Sequence, residues 1–142
     1  MDKRIIAIHE CSHAIVCQVS DPRRIPLSVS IGEDQVTGFT TYASPNKVEI
    51  TSDNAIGRLA TYIAGKVGEE LIFGQEHGGS ENDIERTQRD CEFYGVLFDD
   101  CEALALEVLT RNRVLLESMA DVFVNQGSIK DQELAALVST AT

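Results

Sequence analysis

His9 and His13 stand four positions apart in the run "HECSH", with Glu10 directly after the first histidine. On an α-helix, side chains at this spacing lie about 40° apart and one turn along, so both imidazoles can reach one ion. The H-E-x-x-H pattern therefore reads as two ligands of a zinc-type cation with a carboxylate beside them. Such a cation lowers the pKa of a bound water and polarises a carbonyl, while the carboxylate passes the water's proton to a leaving amine. The competing reading is a pair of core histidines satisfied by internal hydrogen bonds. Burying both rings without a shared partner costs free energy, which favours the metal.

A site of this kind takes three protein ligands and leaves the fourth position to water. The candidates for the third are His77, Asp83, Glu69 and Glu70. A glutamate of "VGEELIFG" would place it on a later helix, whereas His77 would complete a three-histidine set. The short H-x-x-G-x-x-H extension is absent after His13. Asp83 has a structural reading as well, because Ser80 and Asp83 in "SEND" form a capping box. Spacing alone leaves the four open. Cys11 lies about 160° from His13 around the helix and reads as a packed, inert thiol.

Elements must exist to hold these side chains. Residues 3–20 are expected as a helix with Ile5, Ile8, Ile15, Val16 and Val19 in one sector, and the histidines beside it, flanked by Ile6 and Cys17 and at least partly buried. Pro22 and Pro26 cannot continue that helix and end it. The runs "IPLSVSIG" and "VTGFTTYA" predict a small sheet or hairpin, with Leu27, Val29 and Ile31 alternating clearly and Val36, Phe39 and Tyr42 less so. "SPNKVEIT" reads as a loop or short edge strand. A second helix is expected from about Ser52 to Gly74, carrying Ile56, Leu59, Ile63, Val67 and Leu71. A third starts near Ser80 and reaches towards Tyr94. One long amphipathic helix is expected from about Asp100 to Gln126, ended by Gly127, with Leu104, Val108, Leu115, Met119 and Val122 on its apolar side. Ser128 with Asp131 is expected to open a last short helix containing Leu134 and Leu137. The fold class is α+β, mainly helical, with a small sheet and a C-terminal helical bundle, in one domain over residues 1–142.

Length and composition agree with one core: 142 residues, 43% hydrophobic and 25% charged. The net charge of −11 repels phosphate backbones and anionic lipid, so nucleic acid is not an expected partner. No apolar run approaches the roughly 18 to 20 residues of a membrane span, and the N-terminus lacks a signal peptide's apolar region. Four cysteines without CxxC spacing fit reduced thiols, and the expected location is the cytoplasm.

"HECSHAIV", "YIAGKVGEELIFG" and "GSENDIERTQ" resemble, in order and approximate spacing, the peptidase domain of the FtsH family, membrane-anchored ATP-dependent AAA+ zinc proteases. The matching family segments run like HEAGHAxV, GGRxAEExxFG and TGAxNDLxxAT. The resemblance covers most of the chain, and "LALEVLTRNRVLLESMADVF" is similar to the family's closing helices. It implies His9, His13 and Asp83 as zinc ligands, Glu10 as general base, and Glu70 as support behind a ligand. It also implies protein substrates and, through the ATPase region, hexamers.

Ser12 replaces the family's glycine before the second histidine, and Lys66 stands where the family has arginine. The P-R-G segment of the strand region is missing, and the stretch after "IERTQ" is shortened. No G-x-x-x-x-G-K-[ST] phosphate loop occurs. The expected activity is therefore a zinc endopeptidase acting on peptides or unfolded proteins without its own ATPase, as a homo-oligomer or with a separate ATPase partner. The competing expectation is a non-catalytic peptide- or protein-binding module with the same fold. The strand around "TGFTTYA" reads equally as a substrate-binding edge or as a core strand whose Phe39 and Tyr42 pack.

Overall fold

The computed structural model describes residues 2–21, 24–45 and 48–142. Helix α1 spans Lys3–Ser20, capped by Asp2, whose side chain accepts from the Arg4 amide. Pro22 lies outside the described residues. The hairpin β1 (Ile25–Ile31) and β2 (Gly38–Ala43) comes next, then α2 (Ala55–Phe73) and α3 (Glu81–Tyr94). The chain closes with α4 (Phe98–Arg111), α5 (Arg113–Gln126), β3 (Ser128–Lys130) and α6 (Asp131–Val138). This is the mainly helical α+β class expected from the sequence, and no described helix is long and apolar enough to cross a membrane.

Helix α1 is the centre of the molecule. Its residues 6–17 are buried on every side except at His9, so the helix is wider in its burial than the one apolar sector expected. It packs on α2 and α5, and the hairpin covers its remaining face. Fully buried Ile8 and Ile15 each contribute roughly 1.5–3 kcal/mol by leaving water. Helix α2 is sandwiched between α1 and α4, which explains why it reads as a strongly apolar run.

The sheet is antiparallel with strand order β2-β1-β3. A bulge between Pro26 and Ser28 interrupts the alternation expected for β1. Leu27 consequently faces solvent while Val29 is fully buried. Phe39 on β2 is 50% exposed, so it is not a core residue. Residues 46 and 47 of "SPNKVEIT" lie outside the described residues, and the rest of that stretch is irregular.

Three expectations need correction. The long helix is two, because the chain turns at Asn112, whose side chain bonds the Val108 carbonyl and accepts from the Thr142 amide. This bend lets α4 pack on α2 and α5 on α1. Ser128 does not open a helix; residues 128–130 form β3, pairing with β1 through Ile129 opposite Val29, and α6 starts at Asp131. At the start of α3, Ser80 makes no side-chain cap bond, so the capping box is not formed.

Helices α1 and α2 approach closely enough that two glycines of α2 face α1 side chains. A Cβ at Gly65 would overlap the His9 ring, and one at Gly68 would overlap Ser12 Oγ and lie 2.8 Å from Ser12 Cβ. Ser12 is fully buried and its hydroxyl is fixed by donating to the Ile8 carbonyl at 2.6 Å. Replacing a mid-helix glycine by alanine ordinarily gains about 0.5–1 kcal/mol, but overpacking costs about 1–3 kcal/mol. Gly68→Ala is therefore expected to lower stability in chemical denaturation, and Ser12→Gly in the same chain to recover most of the loss. An unchanged midpoint for Gly68→Ala would show that the helices separate freely.

Candidate metal centre

Helix α1 presents His9 and His13 on one side, and α2 fixes both rings from behind. His9 Nδ1 meets Glu69 Oε2 at 2.6 Å, and His13 Nδ1 meets the Thr61 carbonyl at 2.7 Å. Both partners occupy the Nδ1 edge, so both Nε2 atoms turn to the same point, 3.2 Å apart. From the first turn of α3, Asp83 brings Oδ2 to 3.3 Å from His9 Nε2 and 3.4 Å from His13 Nε2. His9, His13 and Asp83 are, among the described residues, the group of histidine, cysteine and acidic side chains able to share one ion.

The three separations form a nearly equilateral triangle. For zinc–ligand bonds of about 2.0–2.1 Å, the edge of a coordination tetrahedron is about 3.3–3.4 Å. Two imidazoles and one carboxylate of these dimensions thus fit a tetrahedral cation with one corner free. The electrostatics agree with a site built for positive charge. Burial opposes the His9 imidazolium, yet hydrogen bonds to Asp83 and Glu69, with the charge of Glu10, push its pKa up to about 10. Burial likewise opposes the Asp83 carboxylate, and its bonds to His13 and His9 hold it well below the usual carboxylate range.

Glu10 lies on the open side. Its Oε2 is 4.0 Å from His9 Nε2, and its Oε1 accepts from Thr40 Oγ1 of β2 at 2.6 Å. Gly38 of the same strand lets the backbone come close, since a Cβ there would lie 2.7 Å from Glu10 and Ile6. His9 and Glu10 line two adjoining concavities. One is walled by Ile5, Ile6, Val36 and Gly78, and the other by Tyr42, Tyr62, Arg24 and Arg86.

The remaining candidates separate clearly. Glu69 is 1% exposed and bonds His9, while Glu70 is on the outer face, paired with Lys66 at 2.9 Å. The supporting carboxylate is therefore Glu69, not Glu70 as the resemblance implied. His77 does not join the cluster; its amide donates to Glu69 Oε1 at 3.1 Å and its ring stacks edge-on with Phe73. Cys11 is fully buried, and burial pushes its thiol well above the usual range. The parts that sequence reasoning did not find are the Thr61 carbonyl and Thr40. A backbone acceptor leaves no mark in side-chain identity, and Thr40 sits in a strand whose partner is set only by tertiary packing.

A family model described as peptidase family M41 matches residues 1–92. The chain is 32% identical over 91 residues to the ATP-dependent zinc metalloprotease FtsH of Rhodothermus marinus, covering 62% of this chain and 13% of that protein. It is 33% identical over 89 residues to the protein of the same name from Thermotoga maritima, covering 60% and 14%. With ATP-dependent zinc metalloprotease FtsH 1 of Conexibacter woesei the identity is 29% over 150 residues, covering 99% of this chain and 23% of the relative. The chain thus spans less than a quarter of the length of these relatives.

The positions of Glu69 and Glu70 give opposite expectations for their substitution. Glu69→Gln is expected to weaken metal retention about 10- to 100-fold in chelator competition, and Glu70→Gln to leave it within about twofold. Asp83→Asn should exceed both. The reverse ranking of Glu69 and Glu70 would mean that the α2 register seen here does not support His9.

Proposed function

The chain belongs to peptidase family M41, a metallopeptidase family, and on that premise we propose that it is a zinc endopeptidase whose ligands are His9, His13 and Asp83 and whose general base is Glu10. The observation that carries this reading is the triangle of two Nε2 atoms and Asp83 Oδ2, all within 3.4 Å of one another, with a glutamate at its open side. Zinc bound there supplies Lewis acidity, lowering the pKa of a water and polarising the scissile carbonyl. Every other part of the chemistry belongs to the chain itself.

Glu69 and the Thr61 carbonyl hold the imidazoles in the tautomer that leaves Nε2 free to ligate. Glu10 accepts the proton of the attacking water and returns it to the leaving amine. Thr40 donates to Glu10 Oε1, which leaves Oε2 as the oxygen available for proton transfer. Because β2 is an edge strand, an extended peptide can add to it through main-chain hydrogen bonds and lie across Glu10. Partly exposed Phe39 on that strand supports the substrate-edge reading over the core-strand one.

The substrates we propose are peptides and unfolded proteins, with residues 1–142 acting as one peptidase unit. The ATP dependence in the relatives' names is that of far longer proteins. Peptide-bond hydrolysis at this site needs no nucleotide, and delivery by a separate ATPase, or assembly into a homo-oligomer, would add access to folded substrates. Four free, buried cysteines suit a reducing compartment such as the cytoplasm. The competing reading is a binding module without hydrolysis, against which stands the glutamate poised beside the triangle.

Purified protein is expected to carry about one zinc per chain and to digest casein without ATP, with loss of activity on chelation. Glu10→Gln should keep the zinc and lower kcat by about 10²- to 10⁴-fold. Full activity in that variant would remove Glu10 from the mechanism. Zinc-loaded wild type that binds casein without cutting it would establish the binding module.

A further inference from the structure

We propose that Arg24 and Arg86 form a carboxylate-binding subsite in the cleft beside the metal centre, so that the preferred substrate carries a negative charge near the bond that is cut. This inference rests on the peptidase reading and adds the substrate class to it. Arg24 precedes β1 and Arg86 lies on α3, yet both donate to the same atom, Tyr62 Oη of α2, at 3.1 and 2.9 Å. The Arg86 guanidinium lies 3.9 Å from the centre of the Tyr62 ring, and that of Arg24 lies 5.3 Å from the Tyr42 ring. All four side chains line the concavity of about 310 Å³ that also contains His9, Glu10, His13 and Asp83.

The charges are unbalanced. Six other described basic residues, Arg4, Arg58, Lys66, Arg89, Arg111 and Arg113, have a carboxylate within 4.0 Å. Lys3 and Lys130 are on the exposed surface. Arg24 and Arg86 have no carboxylate at that distance among the described residues, although the chain carries 23 acidic residues against 12 basic. These two cations converge on one phenolic oxygen and repel each other, while a third guanidinium against Tyr62, that of Arg58, is balanced by Asp21; aromatic faces pack against both arginines. A phenol accepts at most two hydrogen bonds, while each guanidinium offers five donors, so most of the fork remains for a ligand. Planar, bidentate geometry selects an oxyanion, and in a peptidase cleft the oxyanion at hand is a peptide carboxylate. It has two sources: an Asp or Glu side chain, or the substrate's C-terminus.

Binding can be read without turnover by fluorescence anisotropy on zinc-loaded protein carrying Glu10→Gln. The probes are one labelled neutral peptide with an amidated end, a series with a single Glu moved along it, and the neutral peptide with a free C-terminus. A Glu at one position, or the free terminus, is expected to tighten binding at least about tenfold, and which of the two does so identifies the source. Adding Arg24→Gln with Arg86→Gln should reduce the preference to about twofold or less, through loss of the extra affinity of the charged peptides. Arg86 is exposed, so Arg86→Glu keeps the test valid if the double variant misfolds; it should shift preference towards a Lys-bearing peptide. Equal binding of all probes, or a preference that survives these substitutions, overturns the subsite. Cleavage of the neutral peptide by wild type with no acidic preference would do so while leaving the peptidase reading intact. Charge-dependent binding with no cleavage by zinc-loaded wild type would instead sink the peptidase reading and keep the subsite.

Discussion

The arrangement depends on the contact between α1 and α2, and within it on two hydrogen bonds made by imidazole Nδ1 atoms. Glu69 and the Thr61 carbonyl are eight residues apart on one helix, as His9 and His13 are four apart on the other. A helix rises about 1.5 Å per residue, so these anchors can serve both rings only if the two helices cross at one separation and register. Gly65 sets that separation, because a side chain there would occupy the space of the His9 ring. The Nε2 atoms converge because the opposite edges of both rings are already bonded to α2.

The same contact explains where the negative charge sits. Three carboxylates, from Glu10, Glu69 and Asp83, surround two imidazoles in a largely buried place. Such a concentration is tolerable only with positive charge inside it. Protons and a divalent cation compete for the same lone pairs, and the cation satisfies three ligands where a proton satisfies at most two. Asp83 comes from α3, which is otherwise largely exposed, so its place is fixed less by core packing than by this attraction. The loop from residue 74 to 80, with Gly74, Gly78 and Gly79 at positive φ, supplies the sharp turns that set α3 against α2 and bring its first turn to the α1 histidines.

Much of this was legible in the sequence, and the failures have physical reasons. The spacing of His9 and His13 brings both rings to one side of α1 because helix geometry is local. Asp83 was not legible by spacing, since seventy residues separate it from His13, and only the resemblance to a family pointed to it. Glu69 and Glu70 are neighbours about 100° apart around α2, and a helix buried on two sides gives no polar face by which to tell them apart. The bend at Asn112 carries no Pro or Gly; it exists because α4 and α5 have different packing partners. The capping signatures at Ser80 and Ser128 are sound as local patterns and are overridden by tertiary demands, the contact of Asp83 with two histidines in one case and a pairing with β1 in the other.

The places where this chain departs from its family's motif are packed or paired with their neighbours. Ser12 adds a hydroxyl at a helix crossing that the motif fills with glycine, and the residue facing it is Gly68, where the motif has alanine. Volume moved across the interface instead of being added to it. Lys66 replaces a guanidinium with an ammonium and still bonds Glu70 and Glu102, at 2.9 and 2.7 Å. Neither change touches the triangle of His9, His13 and Asp83. Buried carboxylates and histidines are each costly to keep unless hydrogen bonds or opposite charge satisfy them. The set kept here is the costly one, and it is the surrounding contacts that take up the change.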